Sequence, residues 1–163
     1  YDELGGSEYY RIVHNRLGAN VPVVRWDQER GMVYGVIDSI NDGLVVAAHD
    51  ISNGGMLVTL AEMLIGGNID GKYGAEVDIS LAGSDLRRDK VLFSESSGYL
   101  LEVPQQNASQ FERLMESYGV IPRYIGDVVS NPRLVAYDGG QLVNLHLDDM
   151  KTVWATGLKD ALR

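Results

Sequence analysis

Apolar residues along this chain recur with two periods, near 3.6 and near 2, and their alternation predicts its elements. Ser7 follows Gly5-Gly6 and is placed to cap a helix through Leu17. Tyr9, Ile12, Val13 and Leu17 form its apolar stripe, and Glu8 sits in its first turn. Gly18 closes that helix, and Val21-Pro22-Val23 is a loop. Asp27 is placed to cap a second helix through Asn41, with Met32, Val33, Val36, Ile37 and Ile40 on one face. Leu44-Val45-Val46-Ala47-Ala48 reads as a buried strand that stops at His49-Asp50. Ser52-Asn53-Gly54-Gly55 then turns the chain into a third helix, which ends near Gly66-Gly67.

Alternation resumes at Ala75-Glu76-Val77-Asp78-Ile79, a half-buried strand. Ser84 to Phe93 reads as a short helix capped by Ser84, and Tyr99 to Val103 as a strand stopped by Pro104. Asn107 to Tyr118 is helical, with Phe111, Leu114 and Met115 inward. Tyr124–Val129, Arg133–Tyr137 and Leu142–Leu147 are strands, the last two joined by a hairpin at Asp138-Gly139-Gly140. Asp148 to Leu162 is a closing helix with Trp154 packed on the core. The order α-α-β-α-β-α-β-α-β-β-β-α implies an α/β (α+β) fold, a mixed β-sheet covered by helices.

At 163 residues the chain fits one domain, and it can bury roughly 70% of its unfolded surface. With 45% hydrophobic and 23% charged residues it has the composition of a globular protein. Its net charge of −9 argues against nucleic acid and against an anionic membrane surface as partners. The absence of cysteine excludes disulfides, thiolate catalysis and cysteine metal sites. No run of about 18 apolar residues offers a membrane span. Tyr1-Asp2-Glu3-Leu4 carries neither an initiator Met nor a signal-peptide pattern, so the chain is expected to be a piece of a longer protein.

The junction at residues 44–62 holds the clearest candidate chemistry. A strand, a glycine turn and a helix start aim backbone N–H groups and the positive end of a helix dipole at one point, which suits a phosphate. The same residues also read as plain capping by Ser52 or Asn53, with Gly54-Gly55 serving the turn. The loop is neither a Walker A sequence nor GxGxxG. His49 and Asp50 stand at the carboxyl end of the strand, where open α/β sheets place ligands. His49 could equally bond its own loop, and Asp50 could cap the turn. His14 and His146 read as surface or structural residues, and the three histidines lack metal-ligand spacing. Ser94-Glu95-Ser96-Ser97-Gly98 is a polar loop between helix and strand, and Gly5-Gly6-Ser7 repeats the glycine-then-cap arrangement.

Taken together, Leu4-Gly5-Gly6-Ser7-Glu8-Tyr9, His49-Asp50-Ile51-Ser52-Asn53-Gly54-Gly55 and Leu92-Phe93-Ser94-Glu95-Ser96 resemble the synthetase subunits of the phosphoribosylformylglycinamidine synthase family. The tail Asp148-Asp149-Met150-Lys151-Thr152-Val153-Trp154 is similar to the end of those proteins. The resemblance covers nearly the whole chain. It implies a final domain of the type shared with aminoimidazole ribonucleotide synthetase, and a cytoplasmic ATP-dependent ligase of purine biosynthesis. Such an enzyme converts formylglycinamide ribonucleotide to formylglycinamidine ribonucleotide, with ammonia from a glutaminase partner. ATP and Mg2+ would be held mostly by an N-terminal domain outside this sequence, and this chain alone would be inactive.

On that resemblance Ser52, Asn53, Gly54 and Gly55 become the phosphate cradle, with His49 and Asp50 beside it. Gly5, Gly6 and Ser7 become a secondary substrate contact, and Glu95 a substrate contact or loop anchor. Asn53 stands where an aspartate is common, and Tyr99 follows Gly98 where an arginine often follows the Ser-Glu-Ser segment. The alternatives are a related synthetase of the selenide, thiamine phosphate or hydrogenase maturation type, and a non-catalytic ligand-binding or assembly domain.

Overall fold

The computed structural model describes residues 1–68, 70–82 and 85–162. Six helices and six strands follow in the predicted order: α1 Glu8–His14, α2 Trp26–Asn41, β1 Ala47–Asp50, α3 Gly55–Gly67, β2 Gly74–Asp78, α4 Arg88–Phe93, β3 Tyr99–Glu102, α5 Ala108–Ser117, β4 Gly126–Val129, β5 Arg133–Tyr137, β6 Gln141–His146 and α6 Leu147–Ala161. Two short 3-10 turns, Ile79–Ala82 and Gln105–Asn107, join them. Ser84, the expected cap of α4, lies outside the described residues. Among the described residues no helix is long and apolar enough to cross a membrane.

The strands form two sheets rather than one. The larger is the expected mixed sheet, in the order β4-β2-β5-β6, with β2 and β5 parallel and both outer pairs antiparallel. β5 explains its own central place: Leu134, Val135 and Ala136 are a continuous apolar run, and all three are buried. The second sheet is a two-stranded antiparallel pair in which His49 of β1 sits opposite Leu100 of β3.

Helix α3 covers the large sheet. Met56, Leu60 and Leu64 recur every fourth residue and pack with Val77, Leu134, Ala136, Leu147 and Met150 in the main core. Each of the Met, Leu and Val side chains contributes about 1.5–3 kcal/mol by leaving water. A smaller core joins α2 and α5 through Val36, Leu44, Phe111 and Met115.

Four expectations need correction. Helix α1 stops at His14, where Asn15 takes a left-handed conformation, and Ile12, Val13 and Leu17 are exposed. The chain turns back because the Gly5 and Gly6 amides donate to the Asn20 and Leu17 carbonyls. Helix α2 begins after Arg25 rather than Asp27, and it buries Gly31, Gly35, Val36 and Ser39. Val33, Ile37 and Ile40 are exposed because α5 approaches the glycine face, where a Cβ on Gly35 would lie 2.8 Å from the Met115 sulfur. The first strand is Ala47–Asp50, shifted toward its polar end because the pairing with β3 runs from Ala47 to Asp50, and Val46 is exposed. Trp154 is 62% exposed, since α6 reaches the core through Leu147 and Met150 instead.

Candidate functional site

Three segments far apart in sequence meet at one carboxylate. Oε1 of Glu95 accepts the Gly54 amide at 2.8 Å and the Glu8 amide at 2.9 Å. Glu95 therefore stands at the first turns of both α3 and α1, where helix dipoles favour negative charge. The Ile51 amide donates to the Gly98 carbonyl at 2.8 Å, tying the same two loops together from the strand side.

The glycine pair is needed for reasons of space and backbone shape. Gly54, the residue that opens α3, has φ +84°, and Gly55 has φ +70°. A Cβ on Gly55 would fall 2.7 Å from the Phe93 backbone. The close approach of Gly55 to the end of α4 brings Glu95, two residues beyond it, within reach of the Gly54 amide. Ser52 and Asn53 do not cap α3: both are exposed, and Gly54 takes the capping position without a side-chain bond. The Gly54 amide is already engaged, so this N–H is not open to a ligand while Glu95 holds it.

Ser7 does cap α1. Its hydroxyl accepts the Tyr10 amide at 3.3 Å, donates to the Leu4 carbonyl at 2.6 Å, and is buried. Tyr9 stacks on Phe93 with ring centroids 4.5 Å apart, which seats α1 against α4.

Beside this junction lies a cleft of about 420 Å³. One wall is Pro22, Val23, Val24 and Glu29; the other is Asp50 to Asn53 together with Glu95 and Ser97 to Tyr99. Of the residues expected to form the site, Asp50, Ser52, Asn53 and Glu95 line the cleft. Gly5, Gly6, Ser7, Gly54 and Gly55 are not part of its lining. His49 is turned elsewhere: Nδ1 is 2.7 Å from the Asp50 carbonyl oxygen, and Nε2 is 3.5 Å from a Glu62 carboxylate oxygen on α3. His146 caps α6 by accepting the Asp148 amide at 3.2 Å.

Glu29, Asp50 and Glu95 give the cleft an acidic lining, and no lysine or arginine lines it among the described residues. A bare phosphate there would meet like charge, worth about 1 kcal/mol per pair at 4 Å in water and about 4 kcal/mol at a protein surface. Hydroxyl, amine and amide N–H groups suit it better. Among the described residues no group of three or more metal-ligating side chains is placed to hold a metal ion.

Behind the cleft, a buried ionic network escaped the sequence reading. Glu3 is 7% exposed and pairs with both terminal nitrogens of Arg25. Ser96 Oγ donates to Glu3 Oε2 at 2.8 Å, and Ser94 Oγ donates to the Glu3 carbonyl at 3.2 Å. The Arg25 guanidinium, with help from the Ser96 hydroxyl, holds the Glu3 carboxyl down at about 2, against the opposing effect of burial. Arg25 also lies 3.4 Å above the Tyr1 ring. Ser96 ends one motif segment and Glu3 immediately precedes another, but no residue spacing joins positions 3, 25 and 96.

The family model of the AIR synthase related protein, C-terminal domain, matches residues 2–139 of this α+β chain. The chain belongs to that family. A protein named phosphoribosylformylglycinamidine synthase subunit PurL, from Methanothrix thermoacetophila, is 45% identical over 163 residues, which is 100% of this chain and 21% of that protein. The chain thus spans about a fifth of the length of the curated relatives it matches. T. maritima PurL complexed with FGAR has the same fold, with a TM-score of 0.69 at 19% identity, over 81% of this chain and 22% of that one. T. maritima PurL complexed with ATP matches with a TM-score of 0.66 at 18% identity, over 91% and 24%.

Proposed function

We propose that this chain is the C-terminal domain of a phosphoribosylformylglycinamidine synthase, and that its cleft faces formylglycinamide ribonucleotide. The intact protein would be an ATP-dependent, carbon–nitrogen bond-forming ligase that takes ammonia from a glutaminase subunit or domain. The observation that supports this best is relatedness along the entire chain, with its three motif segments meeting at Glu95. Asp50, Ser52, Asn53 and Glu95 are the proposed contacts, directed at ribose hydroxyls and the formylglycinamide N–H rather than at bare phosphate. Gly54 and Gly55, with Gly5, Gly6 and Ser7, hold those contacts in place. ATP, Mg2+ and the cations that meet the substrate phosphate would come from the remainder of the protein.

The test is ADP formation by the full-length protein bearing this chain, with ammonia, with and without formylglycinamide ribonucleotide. ADP release is expected only with the ribonucleotide, and this chain alone is expected to give none. Ser52→Glu puts a further carboxylate on the exposed cleft wall and is expected to raise KM for the ribonucleotide about tenfold. ADP release indifferent to the ribonucleotide would sink the reading.

A further inference from the structure

We propose that Glu3 is a positioning residue that sets the width of the cleft by fastening its two walls to one buried carboxylate. This rests on the functional reading above. The first wall is a loop with little packing of its own: Val23 and Val24 are 59% and 51% exposed. What holds that loop is Arg25, whose Nη1 donates to the Val23 carbonyl at 2.9 Å and to Glu3 Oε2 at 3.2 Å. The Arg25 backbone amide also donates to Glu29 Oε1 at 3.1 Å, so the acidic residue of that wall is tied to the backbone of the same residue. The second wall carries Ser96 between Glu95 and Ser97, and Ser96 Oγ donates to the same Glu3 oxygen that Nη1 reaches. Ser94 reinforces the link through its 3.0 Å contact with Ser96 Oγ and its bond to the Glu3 carbonyl.

Glu3 is absent from the cleft lining and nearly closed to solvent, so it acts on a ligand only through the walls. A buried carboxylate held by two walls has a narrow set of geometries, because each lost bond leaves a charge desolvated and unpaired. The separation of Val23–Val24 from Glu95–Gly98 follows from it. The proposal predicts an effect on ribonucleotide binding that spares the chemical step.

The measurement is steady-state ADP formation by the full-length protein with ammonia, for wild type, Glu3→Gln and Ser96→Ala. Glu3→Gln is expected to raise KM for formylglycinamide ribonucleotide about tenfold, and Ser96→Ala about threefold, while kcat and KM for ATP stay within about twofold. The double variant is expected to match Glu3→Gln alone, because both changes loosen one fastening. A merely structural role lowers the fraction of active enzyme and so lowers kcat with every KM unchanged; that pattern would overturn the proposal. So would a ribonucleotide KM that stays put in both variants. Ser96→Ala removes a single hydrogen bond and decides the question if Glu3→Gln does not fold. A wild-type protein without ribonucleotide-dependent ADP formation would instead overturn the functional reading, and this inference with it.

Discussion

Glu95 is the side chain on which three segments depend, so its removal is the most informative single perturbation. Its Oε1 accepts two backbone amides at ordinary hydrogen-bond distance, from Gly54 and Glu8. A hydrogen bond to a charged acceptor contributes about 1.5–3 kcal/mol, and a carboxylate at a helix start adds about 0.3–1 kcal/mol. Glu95 is half-buried, which places both contributions toward the lower end of those ranges. Glu95→Ala is therefore expected to destabilise the protein by about 2–4 kcal/mol. Glu95→Gln keeps an oxygen in reach of both amides and loses only the charge, so it should cost about 0.5–1.5 kcal/mol.

Urea unfolding of this chain, followed by far-ultraviolet circular dichroism, measures both differences. Salt supplies an internal check. At about 1 M salt the Debye length falls to about 3 Å, so the gap between wild type and Glu95→Gln should narrow while that to Glu95→Ala largely persists. An alanine variant within about 0.5 kcal/mol of wild type would refute the reasoning, since no surface substitution of that size needs a special cause. So would glutamine costing as much as alanine, because the retained oxygen would then count for nothing.

Two further outcomes follow from the same geometry. Gly55→Ala combines φ +70° with a Cβ 2.7 Å from the Phe93 backbone and should cost about 3 kcal/mol or more, whereas Gly66→Ala meets nothing within 4 Å and should stabilise by up to about 1 kcal/mol; thermal unfolding of the pair would show it. Glu3, held at about 2 against an ordinary 4.5, contributes stability that is complete above about pH 4.5 and is lost as pH falls toward 2, so Glu3→Gln should flatten acid unfolding over that window in urea melts taken at successive pH values.

The elements and their order were legible because their signals are local. Arg133–Tyr137 carries the apolar run Leu134-Val135-Ala136 at its centre and is β5 to the residue. The period of Phe111 and Met115 places the buried face of α5 correctly. Faces failed where a partner element decides them. In α2 the branched residues Val33, Ile37 and Ile40 outrank glycine on any hydropathy scale, yet the glycine side is the buried one because α5 approaches it. In α1 the helix pattern runs on past His14, but the amides of Gly5 and Gly6 bring residues 17 and 20 back in another conformation. The site followed the same rule. Asp50, Ser52, Asn53 and Glu95, which line the cleft, stand in segments the sequence singles out, whereas Glu3, Arg25 and Ser96 are joined across 93 positions by a buried charge that no periodicity reports.

The charge of the cleft bears on how much this domain could do by itself. The sequence suggests a free anion cradle at the 52–55 turn; the fold puts a carboxylate there first. Glu95 neutralises the two helix starts from within, so their dipoles serve the fold before they serve a ligand. Glu29 and Asp50 add to an acidic lining without a cation among the described residues that form it. On the proposed reading, a ribonucleotide would then find its hydroxyl and amide partners here and its phosphate partners elsewhere. Binding by this chain alone should be weak and should strengthen as salt screens the lining, the opposite of what a phosphate cradle would give. A half-site of that kind fits a chain that spans about a fifth of its relatives, in which the remaining sequence would carry the positive half.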